Sequence, residues 1–381
     1  MPRLDLVVVS ETYPPEVNGV AMTIARLVDG LRDSGHRVRL VRPRQHAADS
    51  ASDCGAESGD LLLPGFPLPG YAGLRYGLPA RRLLTAAWRA ARPDAVHVVT
   101  EGPLGWSAVA AARALGIPVT SGFHTNFDRY SRHYGIGWLQ PAIAAYLRSF
   151  HRRTRATLVP TEALAARLAG EGLSGVRVVG RGVDSALFDP ARRSDALRAA
   201  WGAAPGDLVV LYVGRLAAEK NIFLALRAFA AIRERCARAR FVLVGDGPLR
   251  ARLQRQHPAH HFAGQQLGID LAAHYASGDL FLFPSLSETF GNVTQEAMAS
   301  GLAVVAYRSA AAAELIVDGE NGRCVTPGDE AAFIDAAAAL THSRAALDAL
   351  REKARQRVAA CGWGAVSLRF EAVLREAIAA A

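Results

Sequence analysis

Two glutamates in one short stretch, residues 284–301, are the first candidates for chemistry. Glu288 falls in a loop after the apolar run 279–283, and Glu296 falls one turn into a helix predicted to begin near Val293. The free N–H groups at a helix start favour an anion, typically a phosphate. Carboxylates instead accept hydrogen bonds from the hydroxyls of a sugar or a ribose. The alternative is a surface loop followed by a helix whose early Glu complements the helix dipole.

Two cations lie in another predicted loop, between the apolar run 208–213 and a helix. Arg215 and Lys220 are five residues apart, and Lys220 is one of only two lysines, the other being Lys353. Arg can bind adjacent phosphate oxygens as a fork, while Lys acts as a point charge. The pair therefore fits a pyrophosphate, and the alternative is a solvated basic loop.

A histidine and a glycine mark two loops in the first half of the chain. His124 directly follows the predicted strand 119–123, and Gly19 precedes the predicted helix 20–34. A glycine allows a phosphate or sugar to approach the backbone closely. A lone histidine is usually structural, but the end of a parallel strand is where ligands bind.

Short apolar runs alternate with amphipathic, often Ala-rich segments along most of the chain. This alternation predicts an α/β fold with doubly wound parallel sheets, whose ligands gather at the carboxyl ends of the strands. Residues 43–77 have little periodicity and predict an irregular connection. The pattern restarts at 208, so we expect domains at 1–185 and 186–362, with residues 363–381 as a terminal amphipathic helix.

Composition and charge limit the function classes. No apolar run approaches the ~20 residues that a membrane span needs, and Met1-Pro2-Arg3 leads directly into a strand, which predicts no secretory signal. The four cysteines have no metal-ligand spacing, so a reducing cytoplasm is the expected location. The net charge is +9, with 22 basic and 15 acidic residues before position 186. Without aromatic-basic interleaving, this charge gives little support to nucleic-acid binding.

Residues 138–154 predict a helix with an apolar stripe and a basic end. The pattern fits a surface that meets anionic lipid head groups at the inner face of the cytoplasmic membrane. The alternative is a helix that packs on a sheet and keeps a solvated face. The arginines that could extend the basic face are Arg75, Arg81, Arg82, Arg89 and Arg92.

Motifs spread over nearly the whole chain resemble the retaining GT-B glycosyltransferases of family 4. Two of them, Gly122-Phe123-His124-Thr125-Asn126-Phe127 and Arg181-Gly182-Val183-Asp184, resemble most the branch of GDP-mannose-dependent α-mannosyltransferases and sulfoquinovosyl-diacylglycerol synthases. The others are Asn18-Gly19-Val20, Phe188-Asp189-Pro190, Gly214-Arg215, Glu219-Lys220-Asn221, Gly245-Asp246-Gly247-Pro248, Pro284-Ser285, Glu288-Thr289-Phe290-Gly291 and Glu296-Ala297-Met298-Ala299-Ser300-Gly301.

The resemblance implies two Rossmann-like domains facing across a cleft, with the terminal helix crossing back to the first. The acceptor would bind the N-terminal domain and the nucleotide sugar the C-terminal one. Arg215 and Lys220 would carry the donor pyrophosphate, Glu296 the ribose, and Glu288 the transferred sugar, which His124 would contact near the reacting carbon. The implied donor site also takes in Gly19, Gly214, Gly264, Phe290, Gly291, Asn292 and Val293.

The resemblance further implies transfer of a hexose, best matched by mannose from GDP-mannose, to a lipid-linked or glycan acceptor with α-configuration. No Asp-x-Asp stands in a suitable place, in agreement with a class that uses neither metal nor cofactor. A UDP-sugar-dependent glycolipid glycosyltransferase and a nucleotide-sugar epimerase are the alternatives. A phosphorylase would need a Schiff-base lysine, and neither Lys220 nor Lys353 has a suitable setting.

Overall fold

The computed structural model describes residues 2–16, 18–45, 59–67, 75–124 and 140–380. Residue contacts divide the chain into two compact units. The first unit holds the chain up to Arg181 together with Trp363–Ala381, and the second holds Gly182–Gly362. The boundary therefore falls four residues before the predicted one, and the terminal helix belongs to the first unit.

The first unit is built on a parallel sheet with the strand order β3-β2-β1-β6-β7-β8-β9. Almost every residue of its central strands is buried, including polar ones such as His97 and Thr120, because both faces of the sheet are covered. The strands are β1 (Asp5–Val9), β2 (Arg37–Pro43), β3 (Leu61–Leu63), β6 (Ala95–Val98), β7 (Val119–Gly122), β8 (Ala156–Val159) and β9 (Val176–Val178).

The connection predicted to be irregular, residues 43–77, contains short strands. β3 extends the main sheet beside β2, and β4 (Gly65–Pro67) pairs antiparallel with β5 (Arg75–Gly77). Three-residue strands are too short to produce a visible alternation of polar and apolar residues, so periodicity did not reveal them. This part of the sequence prediction was wrong.

Helices cover the sheet of the first unit. They are α1 (Gly19–Asp33), α2 (Arg81–Ala90), α3 (Pro103–Ala114), α4 (Gln140–His151), α5 (Glu162–Gly170) and α14 (Trp363–Ala379). Asn18 caps α1 by accepting hydrogen bonds from the N–H groups of Val20 and Ala21. The terminal helix α14 packs beside α1, and Phe370, Val373 and Leu374 join the core there.

The second unit has a parallel sheet with the strand order β12-β11-β10-β13-β14-β15. One core of buried apolar side chains fills the space around it. The strands are β10 (Val209–Val213), β11 (Arg240–Val244), β12 (His261–Gly264), β13 (Leu280–Phe283), β14 (Ala303–Tyr307) and β15 (Arg323–Val325). The α-helices are α6 (Asp195–Ala200), α7 (Ile222–Arg235), α8 (Arg250–Gln256), α9 (Gly268–Ala276), α10 (Asn292–Ala299), α11 (Ala310–Leu315), α12 (Glu330–Ala339) and α13 (Arg344–Val358).

The strand order of the second unit reverses direction between β10 and β13. Later strands are added outward from β10 on one side and outward from β13 on the other. The loops after these two neighbours leave the sheet on opposite faces, and the crevice between them is where doubly wound sheets bind ligands. Both candidate loops, the one with Arg215 and Lys220 and the one with Glu288, begin here.

A buried carboxylate anchors the start of β13. Asp279 is fully buried and accepts hydrogen bonds from the backbone N–H of Val209 and from the guanidinium groups of Arg193 and Arg198. Burial raises the pKa of Asp279, but the Val209 hydrogen bond and the arginines outweigh it and the pKa is lowered overall. This anchor fixes β13 against β10, and so fixes the origin of the loop that carries Glu288.

Candidate active site

The loop after β13 ends at a position whose left-handed backbone conformation favours glycine. Gly291 has φ of 86° and precedes α10, whose first N–H groups donate no hydrogen bond to a capping side chain. Backbone N–H groups therefore remain available at Asn292 and Val293, next to the loop. The neighbouring Phe290 is buried, and its carbonyl accepts a hydrogen bond of 2.7 Å from the N–H of Ala311.

Glu288 and Lys220 are paired. One carboxylate oxygen of Glu288, Oε1, contacts the Lys220 ammonium and accepts a hydrogen bond of 2.7 Å from the Ser285 hydroxyl. Each of the paired side chains is only 14% exposed. The two groups that were expected to bind different parts of a ligand therefore contact each other directly in the second unit.

The loop after β10 places Arg215 beside a second carboxylate. Its guanidinium lies 3.5 Å from Glu219, which is buried, while the Arg215 side chain is 37% exposed. A short 3₁₀ turn, Ala218–Lys220, and the left-handed Asn221 at φ of 52° lead into α7. This turn holds Lys220 at the end of the loop, where it reaches Glu288. Gly214 begins the loop and lies against the Tyr212 hydroxyl.

Glu296 lies in α10 and is held by a tyrosine of α9. The Tyr275 hydroxyl donates a hydrogen bond of 3.0 Å to Oε2 of Glu296. Burial raises the pKa of Glu296 to about 7, and the Tyr275 hydrogen bond partly offsets this by stabilising the carboxylate. Gly264 ends β12 with φ of 73°, and its carbonyl accepts from the N–H of Gly245.

Two predicted site residues belong to the first unit. His124 lies two residues after the end of β7, and its Nδ1 is 2.6 Å from Nη2 of Arg181. Burial, followed by the Arg181 charge, lowers the pKa of His124 well below its usual value. Gly19 is the first residue of α1. The rest of the loop after His124, including Thr125, Asn126 and Phe127, and the predicted start of α4 at Trp138 lie outside the described residues.

Three polar residues that sequence reasoning missed hold the predicted ones. They are Ser285 on Glu288, Tyr275 on Glu296 and Arg181 on His124. Ser285 and Arg181 stand inside recognised motifs, so their positions were visible although their contacts were not. Tyr275 has no local signal, since it precedes Glu296 by 21 residues and lies on another helix.

Comparisons with known proteins agree with this architecture. The family model described as Glycosyltransferase Family 4 matches residues 17–187, and the model described as Glycosyl transferases group 1 matches residues 207–343. A GDP-mannose-dependent alpha-mannosyltransferase of Mycobacterium tuberculosis is 34% identical, with 88% of each chain covered. Sulfoquinovosyl transferase SQD2 of Arabidopsis thaliana is 29% identical over 93% of this chain and 70% of its own.

A solved structure supports the fold. Sucrose-phosphate synthase from Thermosynechococcus elongatus superposes with a TM-score of 0.76 over 100% of both chains, at 18% identity. Two Rossmann-like parallel sheets with helices on both faces define the GT-B fold of glycosyltransferases, as predicted. The chain belongs to glycosyltransferase family 4 and is a glycosyltransferase.

Two features of the described residues bear on membranes and metals. None of the helices there is both long and apolar enough to cross a membrane. In the same residues, no three His, Cys, Asp or Glu side chains are grouped so that they could hold a metal ion.

The Tyr275–Glu296 hydrogen bond makes a direct prediction about titration. Replacing Tyr275 by Phe removes the contact that favours the carboxylate, so the pKa of Glu296 should rise above its value of about 7. The measurement is a carboxyl-carbon NMR titration of Glu-labelled protein, with Glu296→Gln assigning the signal. Tyr307→Phe, which removes another buried tyrosine hydroxyl, should leave the Glu296 titration unchanged. An unaltered titration in Tyr275→Phe would contradict the assignment.

Proposed function

We propose that this protein transfers an α-mannosyl group from GDP-mannose to a hydroxyl of a lipid-linked or glycan acceptor, with retention of configuration. The observation that carries the proposal is the Lys220–Glu288 pair beside the uncapped start of α10, in a family 4 chain 34% identical to a mannosyltransferase. The second unit would bind the donor and the first unit the acceptor.

The polar groups of the second unit match the parts of a nucleotide sugar. Arg215 and Lys220 suit the diphosphate because they supply positive charge, and the N–H groups at the start of α10, which no side chain caps, suit it as hydrogen-bond donors. Glu288 suits the hydroxyls of the transferred sugar, and Ser285 keeps its carboxylate turned toward Lys220. Glu296 suits the ribose: Tyr275 occupies Oε2, which leaves Oε1 to accept a ribose hydroxyl.

The same groups match the charge changes of the reaction. Breaking the bond between the sugar and the phosphate leaves positive charge on the sugar ring and adds negative charge to the diphosphate. Lys220 and Arg215 stabilise that added charge as it forms, which is the part of the barrier that fixed cations lower most. As the phosphate departs, the acceptor hydroxyl attacks the same face of the sugar and gives its proton to a phosphate oxygen.

Lys220 is proposed to bind the diphosphate and Glu288 the sugar, so a single substitution of either should strongly lower the activity. Glu288→Gln and Lys220→Ala should each lower kcat/KM by at least about 100-fold, the cost of losing one preorganised charge in a transition state. The assay follows radiolabelled mannose from GDP-mannose into a membrane lipid extract, and α-mannosidase release reports the configuration of the product.

The control is Glu320→Gln, which changes an exposed glutamate of the same unit and should retain wild-type activity. A parallel reaction with UDP-glucose separates the donor alternatives. Glucose transfer without mannose transfer would overturn the donor while keeping the enzyme class. Full activity in Glu288→Gln or Lys220→Ala would overturn the site. Release of mannose from GDP-mannose without any acceptor product would point to hydrolysis or isomerisation of the donor.

We further propose that the first unit contacts anionic membrane lipids as a peripheral protein of the cytoplasm. Supporting this, α2 exposes Arg81, Arg82 and Arg89 to solvent together with Leu83, which is 47% exposed. Exposed arginines beside an exposed apolar side chain suit the boundary between head groups and acyl chains.

Reversing two charges on α2 should weaken vesicle binding. Arg81→Glu with Arg82→Glu should lower the affinity for phosphatidylglycerol-containing vesicles by at least about tenfold, because each arginine near an anionic surface contributes. Cosedimentation measures this, and added salt should weaken wild-type binding. Arg233→Glu with Arg235→Glu makes the same charge change at an exposed site of the second unit. Equal losses in both variants, or binding that ignores salt, would contradict a specific surface on α2.

A further inference from the structure

Arg181 is a buried cation without a carboxylate partner among the described residues. Its side chain is nearly inaccessible, with the residue 8% exposed, and its recorded hydrogen bond goes to His124. Burial lowers the pKa of Arg181 to about 10, so the guanidinium is still charged at neutral pH. A buried charge lowers stability unless specific contacts satisfy it. For Arg181, that contact is the hydrogen bond to His124.

The contact determines where the imidazole proton is. A guanidinium donates hydrogen bonds and does not accept them, so Nδ1 of His124, 2.6 Å from Nη2, must be the acceptor. A neutral imidazole with an accepting Nδ1 carries its proton on Nε2. The ring is neutral because burial and the positive field of Arg181, with smaller contributions from His97 and His151, lower its pKa.

The other side of the ring is held by a glycine. Nε2 of His124 lies over Gly122 so closely that a Cβ at that position would be 2.1 Å from it. No acceptor for Nε2 is present among the described residues. The ring is therefore held between Arg181 and the Gly122 backbone, with one N–H donor still to be satisfied.

We infer that Arg181 is a positioning residue that fixes His124 in the Nε2–H tautomer, so that His124 donates a hydrogen bond to the bound substrate and does not accept its proton. The inference rests on the proposed function for the substrate contact, while the tautomer itself does not depend on any substrate. A donating His124 cannot serve as the base for the acceptor hydroxyl. The proton must then leave by the phosphate oxygen, as proposed above.

The tautomer is measured by long-range nitrogen–proton NMR of protein labelled at its 11 histidines, with His124→Gln identifying the signals. In the wild type, Nδ1 should give the signal of an unprotonated nitrogen and Nε2 that of a protonated one, from neutral pH well into the acid range. Arg181→Met should give a mixture of tautomers. Arg181→Gln, whose amide can still donate to Nδ1, should keep the Nε2–H form.

Lysine separates the effect of charge from that of hydrogen bonding. Arg181→Lys supplies a donor and a charge, so it should restore both the tautomer and the resistance to acid. Arg181→Gln lacks the charge, so its His124 should begin to protonate at higher pH than in the wild type. The groups that face His124 electrostatically are Arg181, His97 of β6 and His151 of α4, and only the first changes in these variants.

Turnover supplies the functional readout. Arg181→Met should lower kcat about tenfold or more, the scale of a misdirected hydrogen bond to a buried group, with a smaller change in the KM for GDP-mannose. Arg181→Lys should recover most of kcat. Arg177→Met removes an exposed arginine of β9 that pairs with Glu376, and it should match the wild type in activity and in thermal unfolding.

Each outcome bears on a different claim. An unprotonated Nε2 in the wild type, or an Arg181→Met spectrum identical to the wild type, would overturn the inference whatever the enzyme does. The predicted spectra in a protein that transfers no mannose would support the inference and count against the proposed donor. The Met, Gln and Lys variants could also fold normally and lose kcat equally. That result would indicate that Arg181 itself binds the substrate, and it would overturn the inference that Arg181 positions His124.

Discussion

The chemistry proposed for the second unit depends on the ion pair between Lys220 and Glu288. The chain has two lysines, and this one is held against a carboxylate that is 68 residues away in the sequence. Both groups are largely shielded from water, so their attraction is stronger than that of a surface pair and neither can be left alone cheaply. A ligand that separates them must therefore replace both contacts, offering negative charge to the lysine and hydroxyl groups to the glutamate. A sugar joined to a diphosphate does both.

The rest of the unit brings these two groups together. Neighbouring parallel strands β10 and β13 start the two loops, and Asp279 ties the beginning of β13 to β10 through the N–H of Val209. The short turn before Asn221 carries Lys220, and Ser285 orients Glu288. The left-handed glycine at 291 then turns the chain into α10 and leaves its first N–H groups uncapped. The packing of the unit thus positions the charged groups to which the proposed function assigns the ligand.

The elements that the sequence predicted well are those with a long apolar run or a clear start signal. Buried parallel strands appear as continuous apolar runs, so β10 was expected at 208–213 and occupies Val209–Val213. The helix after Glu288 was expected near Val293 and begins at Asn292, because Gly291 takes the left-handed conformation immediately before it. The strands within 43–77 were missed, since three residues are too few to show a period. The fold class and the family were predicted correctly, through the alternation of elements and through motifs.

Contacts between distant side chains could not be predicted in this way. Nothing in the local sequence of Glu296 indicates Tyr275, and nothing near His124 indicates Arg181, 57 residues later. Residue types alone suggested that the cations bind phosphate and the carboxylates bind hydroxyls. The structure adds that Lys220 and Glu288 are paired with each other. Such pairings depend on which strands become neighbours in the sheet. Local sequence patterns do not show that order.

Because the protein contains only Lys220 and Lys353, side-chain NMR of protein with isotopically labelled lysine tests the central claim most directly. Lys353 is exposed on α13 and serves as the internal reference. Addition of GDP-mannose should shift the Lys220 ammonium signal as the lysine exchanges Glu288 for the diphosphate, and should leave Lys353 in place. A Lys220 signal that stays unchanged at GDP-mannose concentrations that raise the Tm of the protein would contradict the account.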